Sequence, residues 1–401
     1  MKKFIQFGAG KIGRSFIAQV FGRAGYEFVF VDIDRDLIDE INRRKSYQIF
    51  IKGEATEVIT ISNIRGIYAD DVDQIAKEIS ESDLAGISVG KNAIGGVVPT
   101  LAKGLIQRRK ETGERPVDII LAENMKDAAL FMREELRKYL PDDYPLGNLV
   151  GLIETSIGKM VASGAGIQDT GDKLRVSAEQ YNKLIVDGKA FKNPVPEISD
   201  LVPKQNMVAW VDRKIFIHNL GHVAAAYYGH FRKPGAVYIY EVLADQEILD
   251  FVYRVMIQSA TVLQKIHPDE FTQDELYDHI EDLLNRFRNR SLKDTIYRVG
   301  SDLRRKLGRD DRIAYPIRMS AGLNLPNDRM LQTLVCGIHF RARDRKGRFH
   351  PEDRKFISRF GEDPHRILVE VCGFNESDDA AVIRTALQLD ETMYGRSESG
   401  K

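Results

Sequence analysis

Apolar residues along this chain recur with a period that changes, and the changes divide it. Phe4-Ile5-Gln6-Phe7 is a short apolar run that stops at glycines. Phe16, Ile17, Val20, Phe21 and Ala24 then recur at helical spacing until Gly25, and Phe28-Val29-Phe30-Val31 follows as a second apolar run. Short apolar runs bounded by turn residues predict buried strands, so the opening reads as one βαβ unit. Segments 47–51 and 57–67, rich in Ile, Val, Thr and Tyr around Lys52-Gly53-Glu54, predict an inserted hairpin. A helix near 72–80, a strand at 84–89, a helix at about 94–109 and a strand at 117–121 continue the alternation of a doubly wound sheet, with Arg108 to Glu114 expected as a solvated turn.

From Leu174 to Phe191 the pattern predicts strands with a helical turn between them, and the prolines of Asn193-Pro194-Val195-Pro196-Glu197 mark the expected change of topology. Beyond about 205, amphipathic runs at 214–230, 236–265, 273–288, 294–306, 328–343 and 378–394 predict a mostly helical second half. The expected organisation is an α/β Rossmann-type dinucleotide-binding domain with an inserted hairpin over 1–200, then a mostly α-helical substrate and catalytic domain over 201–401. Gly395 to Lys401 reads as a disordered tail.

Charge and cysteine content narrow the partners. Lys plus Arg and Asp plus Glu both number 59, so no global field draws nucleic acid or an anionic membrane, and an anionic ligand must be held locally. Cys336 and Cys372 fit neither a disulfide framework nor a cysteine-rich zinc site. Glycines end the apolar run after Lys2-Lys3 too early for a signal peptide, and no run approaches a membrane span. The expectation is a cytoplasmic protein, a monomer or small homo-oligomer, whose partner is a small molecule rather than a membrane or nucleic acid.

Gly8-Ala9-Gly10-Lys11-Ile12-Gly13 has the spacing G-x-G-x-x-G. It follows a predicted strand, opens a predicted helix, and precedes a second strand that ends in Asp32, ~20 residues on. Gly8 would allow the tight turn, Gly10 the approach of a pyrophosphate to backbone N–H groups, and Gly13 the packing of helix on sheet. Asp32 would accept hydrogen bonds from the adenosine ribose and repel a 2′-phosphate, which favours NAD, while Arg35 keeps NADP open. FAD is the other dinucleotide with this turn, but its further motifs are absent.

A cofactor site does not define a reaction. A zinc alcohol dehydrogenase needs Cys and His ligands that two cysteines do not supply; His218 and His222 share a helix face but lack a clear third ligand, so no metal is expected. A short-chain dehydrogenase needs Tyr-x-x-x-Lys, and none of the 15 tyrosines provides it. A lysine base remains. Lys214, Asn219 and His222 form a Lys-x4-Asn-x2-His array, and at ~100° per residue they share one ~140° sector of a helix, leaving Phe216, Leu220 and Val223 to pack away from it.

The array Lys214, Asn219 and His222 resembles the signature of the long-chain polyol dehydrogenases, metal-independent enzymes that join a Rossmann domain to a helical domain. Gly8 to Arg14 resembles the family's opening, and Ala122-Glu123-Asn124-Met125 its strand-end segment. Val299-Gly300-Ser301-Asp302-Leu303-Arg304-Arg305-Lys306-Leu307, with Asp311-Arg312 and Leu325-Pro326, is similar to the mannitol-1-phosphate 5-dehydrogenase branch. One stretch departs: Ile157-Gly158-Lys159 stands where many members carry Val-Asp-Arg near the substrate cleft, which bears on the choice of substrate.

The resemblance implies an active site between the two domains, NAD as cofactor with Glu123 added to its site, and a reaction between a sugar alcohol phosphate and a ketose phosphate, mannitol 1-phosphate and fructose 6-phosphate first. Lys214 would be the general base, Asn124 and Asn219 the amide donors to a developing alkoxide, and His222 the partner of a substrate hydroxyl. Arg304, Arg305, Lys306, Arg309 and Arg312 would hold the phosphate, or form a solvated helix end balanced by Asp302, Asp310 and Asp311. A non-phosphorylated hexitol, a sugar acid, and an NAD-binding sensor without turnover are the alternatives.

Overall fold

A computed structural model describes residues 2–53, 55–161 and 171–395 and divides into two compact units, Met1–Val211 and Asp212–Lys401. The expected tail after Gly395 and the middle of the predicted hairpin turn, Glu54, lie outside the described residues.

In the first unit the short apolar runs pair as predicted. β1 (Lys3–Phe7) and β2 (Glu27–Asp32) lie parallel, and the intervening helix passes early through one π-helical turn, Gly13–Ile17, before α1 (Ala18–Arg23). Next come α2 (Arg35–Arg44), β3 (Ser46–Lys52), β4 (Thr56–Ser62), β5 (Ile64–Tyr68), α3 (Val72–Glu81), β6 (Leu84–Ile87), α4 (Ile94–Thr112) and β7 (Val117–Leu121). After them stand α5 (Ala128–Arg137), α6 (Leu146–Leu149), β8 (Val150–Ile157), β9 (Val176–Glu179), β10 (Leu184–Asp187) and β11 (Leu201–Lys204). Among the described residues the main sheet has the order β11-β10-β8-β7-β6-β1-β2-β5 and is parallel except between β8 and β10.

Alternation along β1 loads both faces of this sheet. Phe4 joins Phe16, Phe21, Phe28 and Phe30 on one side, stacked on Phe28 at 4.8 Å, while Ile5 and Phe7 join Val29, Val31, Leu101 and Ile119 on the other. The chain leaves β1 toward β2 and β5, then crosses to β6 on the opposite side of β1. The crevice where an open α/β sheet binds ligands is therefore at the ends of β1 and β6.

Several expectations change. The stretch 57–67 is not one arm of a hairpin: β3 and β4 pair antiparallel from Ser46↔Ser62 to Lys52↔Thr56, then Asn63 turns through φ +57° and β5 joins the main sheet beside β2. Asparagine tolerates that left-handed backbone, so one residue splits an apparently continuous strand. The segment 174–191 holds no helical turn; β9 pairs with β3 in a second sheet and β10 with β8 in the main one. The prolines at 193–197 do not end the main sheet, because the buried Asp118 carboxylate accepts the backbone N–H groups of Lys192 (2.7 Å) and Asn193 (3.0 Å) and the chain returns as β11.

Arg108 overturns the solvated turn most plainly. α4 runs on to Thr112, and the Arg108 guanidinium is buried, donating to the carbonyls of Ser80 (2.9 Å), Ser82 (2.6 Å) and Pro116 (2.8 Å) and to the Asp83 carboxylate (2.6 Å). It ties the C-terminal ends of α3 and α4 to the starts of β6 and β7.

Among the described residues of the second unit the regular elements are helices, joined by loops and one isolated bridge between Tyr238 and Thr295. Its long helices, Leu220–Arg232, Gln246–Ile266, Gln273–Phe287, Asp328–Ile338 and Ala380–Tyr394, begin at capping side chains where the sequence offers them, as at Asp245 and Thr272. The predicted run 294–306 is two short helices, Ile296–Gly300 and Leu303–Lys306. Asp302 between them sits at φ +73°, its N–H and that of Leu303 bound by the buried Asp353 carboxylate.

Arg108→Ala should lower unfolding stability by about 3 kcal/mol or more, since it strands buried carbonyls that water does not reach. Urea denaturation checks this; an unchanged midpoint would contradict the account.

Candidate active site

The glycine turn is built against the switch point, and its glycines do different work. Gly8 has φ +93°, and a β-carbon there would lie 2.4 Å from the Ser88 carbonyl oxygen at the end of β6. A β-carbon on Gly13 would meet the Gly8 carbonyl oxygen at 2.1 Å, so this glycine closes the turn on itself. Gly10 differs: a β-carbon there would touch nothing within 4 Å. The space over Gly10 is open on the side where a pyrophosphate would approach the backbone, which fits the group the fingerprint predicts. Ala9 is fully buried, Ile12 packs on the core beside it, and Lys11 is exposed with its carbonyl accepting from the Ser15 hydroxyl (2.6 Å).

Asp32 stands at the end of β2. Its Oδ2 accepts the Ala9 N–H (2.6 Å) and its Oδ1 the Asp34 N–H (3.0 Å), so the carboxylate is fixed against the turn while each oxygen keeps a lone pair for a ribose hydroxyl. Glu123, after β7, is buried and accepts the Gly90 N–H (2.7 Å). Burial raises its proton affinity, and the neighbouring backbone N–H groups of Gly90 and Val89 oppose that. Its visible task is to hold the turn after β6. Asn124 follows it, exposed at the same strand end.

The apolar reading of the sequence passed over several supports of this turn. Gln6 interrupts the apolar run of β1; it is buried and donates to the Phe7 carbonyl (2.7 Å) and to Ser88 Oγ (2.9 Å) under the Gly8 loop. Arg14 is buried and donates to the Ala9 carbonyl (2.6 Å) and to the carbonyls of Lys173 (2.9 Å) and Leu174 (2.7 Å). The π-helical turn skips the ordinary pairing of the Arg14 carbonyl, and the Tyr47 hydroxyl of β3 donates to it instead (2.7 Å). The inserted hairpin is thus a brace for the fingerprint. A polar residue inside an apolar strand was the one sequence signal for this layer.

Lys159, of the stretch that departs from the family's pattern, is buried and donates to Gln19 Oε1 and Asn182 Oδ1, both at 2.8 Å. It ties the nucleotide-side helix to the strands that follow.

In the second unit, Lys214 to Asn219 form a second π-helical turn, with the Leu220 N–H bonded to the Ile215 carbonyl. Bonding at i→i+5 sets Asn219 one turn above Lys214, so the two are stacked more directly than an α-helix would allow. Phe216, Leu220 and Val223 are fully buried and pack away from them. The Asn219 carboxamide has no protein partner among the described residues.

Lys214 is half-buried, and its proton affinity is lowered to about 8. Burial is the largest cause; the Arg312 charge adds to it, Asp311 opposes, and Arg305 adds again. The predicted basic cluster therefore divides. Arg312 is buried with its Nε on Asp311 (2.6 Å), and Arg305 reaches Asp302 and, through Nη1, Asp311 (3.3 Å). Both Arg312 terminal nitrogens and Arg305 Nη2 have no protein partner among the described residues. Lys306, by contrast, is buried on the Val299 carbonyl (2.6 Å), with its proton affinity driven well down by burial and then by Arg312 and Arg305. Arg309 is exposed and donates to the Gly373 carbonyl (2.7 Å), and Arg304 is exposed on the helix surface.

His222 is tightly engaged. Its ring stacks on Phe287 at 4.6 Å, and its Nε2 lies 3.1 Å from Asp294 Oδ2. Burial lowers its proton affinity, with Asp294 opposing; at Asp294 burial works upward but His222 and Arg298 outweigh it and hold the carboxyl well below the usual range. His218 is buried 6.1 Å away, ring to ring, with its basicity lowered by burial and by Arg286. Among the described residues no group of three or more His, Cys, Asp or Glu is placed to hold a metal.

Taken by its parts, this is a dinucleotide-binding Rossmann-type unit joined in sequence to a helical unit that presents a lysine of lowered basicity among arginines. The chain belongs to the mannitol dehydrogenase family: residues 2–200 match the mannitol dehydrogenase Rossmann domain and residues 206–379 the mannitol dehydrogenase C-terminal domain. Among solved structures, a Pseudomonas fluorescens mannitol 2-dehydrogenase in a ternary complex with NAD and D-mannitol is similar at 14% identity and a TM-score of 0.73, over 98% of this chain and 92% of that one. An octopine dehydrogenase in complex with NADH and agmatine shares 12% identity at a TM-score of 0.50, over 100% of both chains. At these identities the likeness is one of fold.

Gly10→Ala should leave thermal stability unchanged and weaken NADH binding at least about tenfold, because its methyl group enters only the space reserved for the ligand. Gly13→Ala should lower the unfolding temperature as well. Paired calorimetric titration and thermal melts check this, and equal NADH affinity in Gly10→Ala would remove the glycine turn from the binding site.

Proposed function

We propose that the protein is an NAD-dependent, metal-independent oxidoreductase that interconverts a sugar alcohol phosphate and a ketose phosphate, with mannitol 1-phosphate and fructose 6-phosphate as the leading pair. The observation that carries this reading is the half-buried setting of Lys214 beside the charges of Arg312 and Arg305, which lowers its proton affinity to about 8. A surface lysine has no use for lowered basicity, and a solvated helix end does not set an arginine as buried as Arg312 beside it.

The cofactor is NAD, held by Gly8, Ala9, Gly10, Lys11, Ile12, Gly13 and Asp32, with Glu123 supporting the adjacent turn; when bound it supplies the hydride acceptor. In the oxidation direction neutral Lys214 takes the proton of the secondary hydroxyl as the C–H bond breaks, and becomes the ammonium. Asn219 and Asn124 donate amide hydrogens to the oxygen as it passes from alkoxide to carbonyl. His222 takes a further substrate hydroxyl through the ring nitrogen that Asp294 leaves. Arg312 and Arg305 hold the phosphate, and their charge also favours neutral Lys214, so one pair of residues serves both recognition and acid–base tuning.

A second reading is oxidation of a free hexitol, favoured by the D-mannitol bound in the Pseudomonas fluorescens enzyme. NADH absorbance with mannitol 1-phosphate and mannitol separates the two. The proposed reading expects the phosphate ester to have the higher kcat/KM, and Arg312→Ala to narrow that preference chiefly by raising KM for the ester. A wild type that favours mannitol would establish the second reading.

Lys214→Ala should lower oxidation by a factor on the order of 10² to 10⁴ with NADH affinity nearly intact. Wild-type oxidation should rise with pH through about 8, as the lysine loses its proton. In Arg312→Ala, without that cationic neighbour, the lysine should hold its proton to higher pH and the profile should move alkaline. Near-normal turnover of Lys214→Ala with an unchanged profile would take the lysine out of the mechanism.

A further inference from the structure

Arg35 is the feature that leaves cofactor choice open in the sequence, since an arginine shortly after the β2 carboxylate is the usual receptor for an adenosine 2′-phosphate. Its surroundings bear on that option. Asp32 pairs in register with Tyr68 on β5, and the Ala69 N–H donates to the Asp32 carbonyl (3.0 Å), so residues 68–70 lie directly beside the ribose carboxylate. The Arg35 guanidinium lies over the Tyr68 ring, 4.6 Å from its centre, and its Nη2 is paired with Asp70. The Tyr68 hydroxyl in turn donates to Asp39 on α2, which fixes the ring under the guanidinium.

We propose that Asp70 is a second determinant of NAD over NADP, acting by holding Arg35 against Tyr68 and neutralising it. The inference rests on the NAD reading above. With Asp70 in place a 2′-phosphate must displace one anion from Arg35 to gain the same contact, and it meets the charges of Asp32 and Asp70 as it does so. The pair is solvent-exposed, with 59% and 68% of the two side chains accessible, so its effect is a discrimination of modest size rather than a source of stability. NAD itself carries no group that needs Arg35, so its affinity is independent of Asp70.

Titration calorimetry of NADH and NADPH with the full chain tests this without relying on turnover. Asp70→Asn should raise NADPH affinity about fivefold relative to NADH, and more in an Asp32→Ala background, with NADH affinity unchanged by the Asp70 substitution. Added salt should shrink the gain, Asp70→Glu should not produce it, and Arg35→Ala in the Asp32→Ala/Asp70→Asn protein should abolish it. A gain that survives Arg35→Ala would overturn the proposal, because it would come from lost negative charge alone. No change on Asp70→Asn in either background would overturn it too. Failure of the wild type to bind NADH would instead overturn the cofactor reading beneath it.

Discussion

Lys214 shares a half-buried corner with Arg312, Arg305 and Asp311, and the balance among these four charges decides what the amine does at neutral pH. Water excluded from an ammonium disfavours it, and two guanidinium groups disfavour it further. Asp311 keeps the corner from becoming so positive that its arginines could not be buried: it is paired with both, and its own carboxyl stays below the usual range because Arg312 outweighs the effect of burial. Lys214 and Asn219 begin and end one π-helical turn, and the fully buried Phe216, Leu220 and Val223 hold that turn on the core.

The nucleotide half works through backbone rather than charge. Gly8 and Gly13 fit because nothing larger does, Gly10 leaves its space open, and the groups that fix the turn are buried polar side chains: Gln6 beneath it, Arg14 beside it, Tyr47 across from it. Each of these donates to a carbonyl or hydroxyl at or beside the turn, although the Gln6 carboxamide oxygen is itself buried without a partner among the described residues. The inserted hairpin, which has no counterpart in a minimal βαβ unit, is explained by the hydroxyl that Tyr47 delivers.

What the sequence made legible was local. The βαβ opening, the fingerprint with Asp32, and the turn from alternating elements to helices all follow from spacing within about 30 residues, the range over which periodicity carries information. What it hid depends on partners far along the chain. Arg108 reads as a surface residue until the carbonyls at the end of α3 surround it, and the run 294–306 reads as one helix until Asp353 captures the N–H groups at Asp302. The five basic residues from Arg304 to Arg312 looked equivalent. Folding spends Lys306 on Val299 and Arg309 on Gly373 and leaves Arg305 and Arg312 near the lysine, a sorting that charge patterning does not contain.

The central claim is that Lys214 is a lysine of lowered basicity in the free protein, before any substrate arrives. Labelling lysine side chains with carbon-13 at Cε, assigning Lys214 by its loss in Lys214→Arg, and following its chemical shift with pH measures this directly. The account predicts a midpoint near 8, against the 10.5 of an ordinary lysine, and an upward shift of that midpoint in Arg312→Ala. A Lys214 resonance that titrates with the bulk of the lysines would contradict it.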